Sequence, residues 1–554
     1  MFGRISIISI LLILTLSCAR QGTPSGGPKD ETAPKYLNST PDTLSLNVPT
    51  DLTEIKINFD EYVVLKDQQN NVIISPSLGS SVNFYPTGSA AKTLRIRMDE
   101  PLEENTTYNI NFGNAIQDNN EGNILKDFHF VFSTGDFIDS LMVSGKANVL
   151  SERNLPKNLI VGLYPIDSLY NDSIILKQKP FYVARPGEDG NFKLNYLHPG
   201  KYQLIAFNDE VENMQFDPSK EKIGFSAVPL ELDSNQTMNL MLFDQQQTYK
   251  IDKAEQKDYG HLVFKFSGQP DEVEVEPMDF DFTTSKVSYQ PKSDSLNFWF
   301  NPAIDTIGEK ARRIKFAVRH KDRTDSVSLV YNPTQTRKLK IESKQKLSFV
   351  PDRKVQLTAN YPISRLDSSF VSVFKDTIQI SPKLIPDSKN ENAFTVDFPI
   401  ELNSKYDIEF YPGALTDFFG ETNDTLKYSF SVKTRNEYGN LKLILGNPPE
   451  HPFFLKLMSE KDEVLDEQYT DQTEFVYNYL NPGNYYFRIF VDENENGFWD
   501  TGDFFERRYP EPAFVYPDLI NIRSMWDTEE NWVLPSDESQ SIDDVPEPEE
   551  SADQ

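Results

Sequence analysis

Short runs in which apolar and polar residues alternate one by one constrain this fold more than any other feature of the chain. Clear examples are EIKINF (54–59), TLRIRM (93–98) and YNINF (108–112), with turn-forming residues between such runs. A side-chain period of two places alternate residues on opposite faces of a strand, and many short strands favour antiparallel sandwiches. We find no convincing amphipathic helix in the sequence. The sequence therefore predicts an all-β fold.

Two internal repeats divide the chain into modules. TTYNINFGNAIQD (106–118) is similar to SKYDIEFYPGALTD (404–417), and YLHPGKYQLIAFND (196–209) is similar to YLNPGNYYFRIFVD (479–492) at a constant offset of 283. A pair of modules therefore occurs twice, with a further strand-rich stretch between the copies. The predicted boundaries are a signal peptide at 1–17, a flexible tether at 18–33, five β-sandwiches at 34–136, 137–245, 246–345, 346–435 and 436–526, and an acidic disordered tail at 527–554.

The N-terminus, MFGRISIISILLILTLSC, has the three-part layout of a secretory signal. Its apolar run is shorter than the roughly 20 residues that a transmembrane helix needs. The Ser-Cys ending resembles the lipobox of bacterial lipoproteins, although Thr15 stands where leucine is usual. This resemblance implies cleavage before Cys18, acylation of that cysteine by fatty acids such as palmitate, and a lipid anchor in the outer membrane. The alternative is an ordinary signal peptide with a chance cysteine.

Two folds can be named by resemblance. Residues 34–134, with INFDEYV (57–63) and TTYNINFGNAIQD, resemble the bacterial Ig-like domain first described in S-layer proteins. That domain occurs in Bacteroidota lipoproteins, often behind a leader like SGGPKD (25–30). Residues 140–245, with DGNFKLNYLHPGKYQL (189–204), resemble the transthyretin-like, carboxypeptidase-regulatory sandwich. These resemblances imply tandem Ig-like and transthyretin-like modules, and they imply no chemistry.

Composition and motifs argue against several function classes. The formal net charge of −30 disfavours binding to nucleic acid. Cys18 is the only cysteine, which excludes internal disulfides and cysteine-ligated metal clusters. The sequence has no His-Glu-x-x-His, no Gly-x-Ser-x-Gly and no phosphate-binding glycine loop, and its five histidines are dispersed. We therefore predict a protein that is not an enzyme.

The most specific local motif is DENENGFWDTGD (492–503), which follows the spacing of a calcium-binding loop. The predicted ligands are the side chains of five residues and the backbone carbonyl of Phe498: Asp492, Asn494, Asn496, Asp500 and Asp503 supply the side chains. The alternative is a hairpin turn, since Asn-Gly is a strong hairpin signal. In the earlier repeat copy, Val211 and Met214 replace Asn494 and Gly497, so we expect a structural Ca²⁺ only in the C-terminal copy.

A second motif is Asp-Ser/Thr followed by an apolar residue. It resembles the O-glycosylation acceptor of Bacteroidota envelope proteins, and the alternative is a turn aspartate before a strand. The candidate acceptors are Thr43, Ser140, Ser168, Ser173, Ser295, Thr306, Ser326, Thr377 and Thr425.

The leading functional hypothesis is a non-catalytic lipoprotein on either face of the outer membrane, acting as a structural or interaction subunit. Its expected partner is an outer-membrane β-barrel or another envelope protein. The alternative is a surface glycan-binding lipoprotein for polysaccharide uptake, in which exposed tryptophans stack on sugars. Trp499, Trp526 and Trp532 stay open as candidates, of which the last two border the acidic tail, and Trp299 has the alternation of a core residue.

Overall fold

The computed structural model describes residues 30–78, 82–126, 128–168, 170–305, 310–333 and 337–535. Nearly all regular elements are strands, so the predicted all-β fold is confirmed. The described helices are one α-helical turn, α1 (Gln68–Asn71), and three 3₁₀ turns at Asp172–Leu176, Ser368–Phe370 and Arg435–Glu437. No helix in the described part of the chain is long and apolar enough to cross a membrane.

The chain divides into two compact units, Met1–Leu141 with Asn195–His198 and Met142–Leu194 with Pro199–Gln554. The first unit holds one sandwich, with sheet orders β1-β2-β5-β4 (β7 also pairs β2) and β3-β6-β8. Its strands are β1 (Tyr36–Thr40), β2 (Glu54–Leu65), β3 (Ile73–Ser75), β4 (Val82–Tyr85), β5 (Ala91–Met98), β6 (Thr107–Asn111), β7 (Ile116–Asp118) and β8 (His129–Ser133).

The second sandwich is built around a nine-stranded sheet of order β11-β10-β13-β14-β17-β9-β12, with β15 beside β13 and β16 beside β9. Its strands are β9 (Leu141–Val149), β10 (Leu159–Pro165), β11 (Tyr182–Ala184), β12 (Asn191–Leu197), β13 (Gly200–Asn208), β14 (Lys222–Phe225), β15 (Leu230–Leu232), β16 (Gln236–Thr237) and β17 (Leu240–Asp244).

The third sandwich has sheets of order β18-β19-β22-β21 and β20-β23-β24 around a phenylalanine-rich core. Its strands are β18 (Lys250–Asp258), β19 (His261–Ser267), β20 (Glu274–Pro277), β21 (Lys286–Ser288), β22 (Ser295–Trp299), β23 (Arg312–His320) and β24 (Arg323–Tyr331).

The fourth sandwich has sheets β25-β26-β31-β30, β27-β33 and β29-β28-β32-β34. Its strands are β25 (Ile341–Glu342), β26 (Val355–Ala359), β27 (Ile363–Leu366), β28 (Val371–Lys375), β29 (Ile378–Ile380), β30 (Lys383–Pro386), β31 (Ala393–Asp397), β32 (Ser404–Phe410), β33 (Leu415–Asp417) and β34 (Leu426–Val432).

The fifth sandwich has sheets β38-β35-β42 and β37-β36-β39-β40, with β41 beside β39. Its strands are β35 (Gly439–Gly446), β36 (Phe453–Ser459), β37 (Val464–Thr470), β38 (Glu474–Leu480), β39 (Gly483–Val491), β40 (Ala513–Val515), β41 (Ile520–Ile522) and β42 (Asp527–Val533).

The first sequence repeat folds in the same way in both copies. Tyr108 stacks on Phe132 with ring centroids 5.3 Å apart, and Tyr406 stacks on Phe430 at 5.2 Å. Each tyrosine hydroxyl also accepts a backbone N–H five residues upstream, at 2.8 Å and 2.7 Å. These tyrosines are buried and alternate with polar neighbours, which is why the same letters recur at the same places in the core.

Two predicted boundaries are wrong in detail. Residues 527–533, assigned from sequence to the acidic tail, form β42, which pairs in parallel with β35. Exposed residues alternate in this strand with half-buried ones and with buried Trp532, and the packing of this tryptophan outweighs the polar composition. Likewise β25 pairs with β26, so the fourth sandwich begins before residue 346.

Candidate functional site

The predicted calcium loop begins at Asp492, the first residue after β39. This carboxylate is buried, and it accepts the backbone N–H of Asn496 at 3.0 Å and of Gly497 at 2.8 Å. The Tyr469 hydroxyl donates to the same carboxylate at 2.8 Å, and this bond raises the pKa of Tyr469 to about 12. Asp492 therefore closes the loop through hydrogen bonds to its own backbone.

The next predicted ligands converge on Asp500. The side-chain amides of Asn494 and Asn496 donate to one of its carboxylate oxygens, at 2.9 Å and 2.7 Å. The ammonium of Lys292, from the third sandwich, forms an ion pair with the other oxygen and lies 4.9 Å from the ring centre of Phe498. Burial alone would raise the pKa of Asp500, but Lys292 and the two amides outweigh it, and the pKa is lowered.

Asp503 does not join this group. Its carboxylate accepts the side-chain amide of Gln245 at 2.8 Å and the backbone N–H of Phe505 at 2.9 Å. Glu511 joins the loop instead, accepting the N–H of Asn494 at 3.2 Å and of Asp500 at 2.7 Å. The expectation that Asp503 completes the ligand set is therefore not met, because Asp503 belongs to a different loop.

The earlier repeat copy has the same hydrogen bonds without the calcium motif. Asp209 accepts the N–H groups four and five residues later, both at 2.9 Å. Glu221, the counterpart of Glu511, accepts two further N–H groups at 3.0 Å and 2.8 Å. Met214 has a φ of +57°, close to the +84° of its counterpart Gly497. The buried Asp/Glu pair is therefore a folding device that both copies share.

These contacts bear on the fit of Ca²⁺, which requires six to eight oxygen ligands around one centre. Within the described residues, no group of three or more His, Cys, Asp or Glu side chains is placed to hold a metal ion. The oxygens of Asp492 and Asp500 are each engaged by N–H, O–H or ammonium donors. In this conformation Lys292 supplies the positive charge beside Asp500, and calcium stays a prediction of the sequence.

An inserted loop (residues 501–510) follows Asp500. The repeat offset is 283 up to Asp500 and 290 at Glu511, so this copy contains seven extra residues. Phe504 is 0% exposed and packs edge-on against Phe225 of the second sandwich, with centroids 5.2 Å apart. The Tyr509 ring stacks on the Phe225 ring, with centroids 4.7 Å apart. The inserted loop thus places its aromatic residues on the earlier copy of the same module.

Polar contacts fix the same interface. The guanidinium of Arg507 forms an ion pair with Asp172 and donates to the side-chain carbonyl of Gln203 at 2.8 Å. It also lies over the Phe504 ring, 4.8 Å from the centroid. Gln245 accepts the backbone N–H of Phe504 at 3.0 Å. A planar guanidinium that is both paired and stacked holds one orientation, which suits a fixed junction. These residues belong to none of the sequence motifs, and the change of repeat offset is the one signal in the sequence that points to them.

The other sequence candidates are scattered. Of the proposed acceptors, Ser140, Ser168, Ser326, Thr377 and Thr425 are exposed, while Thr43, Ser173 and Ser295 are half-buried. Thr306 and Cys18 lie outside the described residues. The expected core position of Trp299 is confirmed.

The remaining tryptophans differ in exposure. Trp499 donates its indole N–H to the carbonyl of Glu511 at 2.9 Å. Trp532 is buried, whereas Trp526 is 58% exposed. Of the two tryptophans that border the predicted acidic tail, the structure therefore leaves only Trp526 accessible for sugar stacking.

Comparisons with known proteins support the first fold assignment. Residues 30–134 match the family described as "Bacterial Ig-like domain". No curated protein matches the chain at a significant level.

Solved structures share only distant likeness. The S-layer protein rSbsC(31-844) is 10% identical with a TM-score of 0.14, covering 82% of this chain and 65% of that protein, so this chain spans less than two thirds of its length. A DUF3823 family protein from Parabacteroides merdae is 14% identical over 35% of this chain and 99% of its own, with a TM-score of 0.13. The Bacteroides ovatus glucan-utilisation protein SGBP-B, solved with a mixed-linkage heptasaccharide, is 10% identical over 70% and 96%, with a TM-score of 0.18. At these TM-scores the likeness carries no functional argument. The family match thus falls on the N-terminal sandwich, which is similar to a bacterial Ig-like domain.

Proposed function

We propose that this protein is a non-catalytic lipoprotein, anchored through Cys18 to the outer membrane, that acts as a structural or interaction subunit of the cell envelope. The lipobox-like N-terminus supports the anchor. The observation that carries the interaction role is the inserted loop, which couples the two copies of one module through Phe504, Tyr509 and Arg507.

Further contacts join the neighbouring sandwiches of the second unit. The Tyr361 hydroxyl of the fourth sandwich donates to Asp258 of the third at 2.8 Å. Arg353 of the fourth donates to the carbonyl of Asn478 in the fifth at 2.8 Å. A preorganised array loses little conformational entropy when a partner binds, which suits a protein that presents surfaces and performs no chemistry. The expected partner is an outer-membrane β-barrel or another envelope protein.

Two experiments test this proposal. A Cys18→Ala variant should move from the membrane fraction to the soluble fraction, because it loses the acyl acceptor. Crosslinking in intact cells followed by affinity purification from detergent should recover one envelope protein in stoichiometric yield, and a Phe504→Ala variant should recover less. Membrane retention of Cys18→Ala, or purification of the protein alone after crosslinking, would contradict the proposal. Protease treatment of whole cells then assigns the protein to the outer or the periplasmic face.

The alternative function, glycan binding for polysaccharide uptake, is favoured by one observation. Trp526 is exposed, and the guanidinium of Arg523 lies 5.2 Å from its ring centre, leaving an aromatic surface of the kind on which sugars stack. Affinity electrophoresis in polysaccharide gels should then show retardation that Trp526→Ala removes. The matched control is Trp499→Phe, since the half-buried Trp499 ring packs against Phe490 and this change should leave retardation unchanged.

A further inference from the structure

The two transthyretin-like modules differ in how their sheets close. In the second sandwich, β14 pairs with β17 through Lys222 with Asp244 and Ile223 with Phe243. The corresponding strands of the fifth sandwich are β40 and β42, by the offset of 290. In the described structure β40 pairs only with β39, and β42 pairs only with β35. The fifth sandwich therefore has two neighbouring strand edges that do not pair with each other.

The free edge of β42 can be assigned residue by residue. The carbonyl of Trp526 accepts from Asn440 and the N–H of Leu534 donates to Gly446, so even-numbered residues of this strand point their backbone groups toward β35. The alternate residues, among them Asn531 and Val533, point theirs away. No hydrogen bond engages these outward groups within the described part of the chain.

The free edge of β40 can be assigned in the same way. Val491 donates to the carbonyl of Pro512 and Tyr516 donates to Phe487, each at 2.9 Å, so even-numbered residues point toward β39. Ala513 and Val515 therefore direct their N–H and carbonyl groups to the other side. Two strand edges with free backbone donors and acceptors thus border one space.

That space is a cleft of about 640 Å³. On the side of the fifth sandwich the cleft is lined by Ala513, Phe514 and Trp532, and on the other side by residues of the second sandwich, among them Lys146, Val149 and Asp189. On the solvent-facing side of β42, Asp527 and Glu529 are exposed. Arg153 also borders the cleft, but its guanidinium donates to the carbonyl of Pro517 and lies over the Tyr486 ring.

Strand edges with free backbone groups, beside a cleft that apolar side chains line on one side, are the components of β-strand addition, in which backbone bonds give affinity and alternate side chains give specificity. An added strand would place one set of side chains against Phe514 and Trp532. Its other set would lie beside the carboxylates of Asp527 and Glu529. The complementary peptide alternates apolar residues with lysine or arginine.

We propose that this cleft, where the edges of β40 and β42 face the second sandwich, binds one extended segment of an envelope partner, with apolar side chains directed toward the fifth sandwich and basic side chains directed outward over β42. The inference rests on the proposed interaction function and names the surface that performs it.

The test uses the full chain in detergent and a fluorescent heptapeptide, KVKVKVK, which matches the seven residues of β42. Fluorescence anisotropy should show saturable binding of this peptide. The acidic analogue EVEVEVE and the proline analogue KVKPKVK should bind at least about tenfold more weakly, because they lose charge complementarity or a backbone donor.

Variants locate the peptide. Asn531→Pro removes one outward N–H and none of the bonds to β35, so binding should weaken about tenfold while the melting temperature is retained. Asn531→Ala keeps the N–H and should bind normally. Glu529→Lys should weaken binding of KVKVKVK and strengthen binding of EVEVEVE.

Equal binding of the three peptides, or unchanged affinity of the Asn531→Pro protein, overturns the cleft proposal. The broader function is judged separately by the crosslinking experiment in cells. If Asn531→Pro still recovers the envelope partner in full yield, the interaction role stands and this surface is excluded from it.

Discussion

Replacing Phe504 by alanine tests whether the inserted loop is held on the second sandwich by its aromatic contact. Phe504 is fully buried, yet it is not part of the core cluster of the fifth sandwich. Truncating a buried phenylalanine costs about 3–5 kcal/mol. Because the ring packs on Phe225 and lies under Arg507, that cost should fall on the docking of the loop. The fifth sandwich itself should stay folded.

Hydrogen exchange followed by mass spectrometry measures this directly. Amide protection of residues 502–509 should fall by roughly a hundredfold to several thousandfold, since each factor of ten corresponds to about 1.4 kcal/mol. Protection of the β39 amides should change little. The matched control is Phe505→Ala on the same loop, whose side chain is 38% exposed and whose loss should cost about 0.5 kcal/mol or less. Equal effects of the two variants would refute the assignment of Phe504 as the docking residue.

Three further predictions follow from single groups. Burial alone would raise the pKa of Asp118, but four backbone N–H groups that it accepts lower it to about 2. The stability that this carboxylate contributes is therefore complete above about pH 4 and lost as the pH falls toward 2, and melting curves should show a smaller acid loss in Asp118→Asn. Calcium should raise the melting temperature of Lys292→Met more than that of the unaltered protein, because the ammonium competes with the ion for Asp500. If calcium shifts the melting temperature of neither protein relative to a sample with chelator, the prediction of a calcium site in this loop is wrong. Peptide mapping of native protein should find glycans on the exposed acceptors and none on half-buried Ser295. The exposed acceptors are Ser140, Ser168, Ser326, Thr377 and Thr425. An intact mass equal to that of the lipidated polypeptide would exclude glycans on all of them.

Local patterns were enough to predict the strands and the fold class. Alternation records which face of each strand is buried, and the repeated tyrosines Tyr108 and Tyr406 occupy equivalent core positions because the same neighbours surround them. Composition was misleading at β42, a strand that contains three acidic residues as well as buried Trp532. There the pairing with β35, which is remote in sequence, decides the structure.

The candidate site was predictable only in part. Spacing correctly grouped Asn494, Asn496 and Asp500, since residues on one tight loop are near one another. Spacing alone could not reveal that Lys292, over two hundred residues upstream, would pair with Asp500. It also placed Asp503 in the wrong loop, because a motif assumes that the chain keeps turning about one centre. Seven inserted residues instead carry Asp503 toward Gln245.

The two copies of this turn show whether it requires the glycine of the calcium motif. Gly497 has a φ of +84°, which taken alone indicates a position that needs glycine. Met214 adopts nearly the same left-handed conformation at the equivalent place, although such strain costs a non-glycine residue about 1 kcal/mol or more. The surrounding hydrogen bonds must therefore impose the turn, and in both copies they come from a buried aspartate and a buried glutamate. Since the turn forms without Gly497, the glycine relieves strain and does not determine the loop. Its presence beside Asn494 and Asn496 distinguishes the copy that carries the inserted loop, which ties the change in this turn to the junction with the second sandwich.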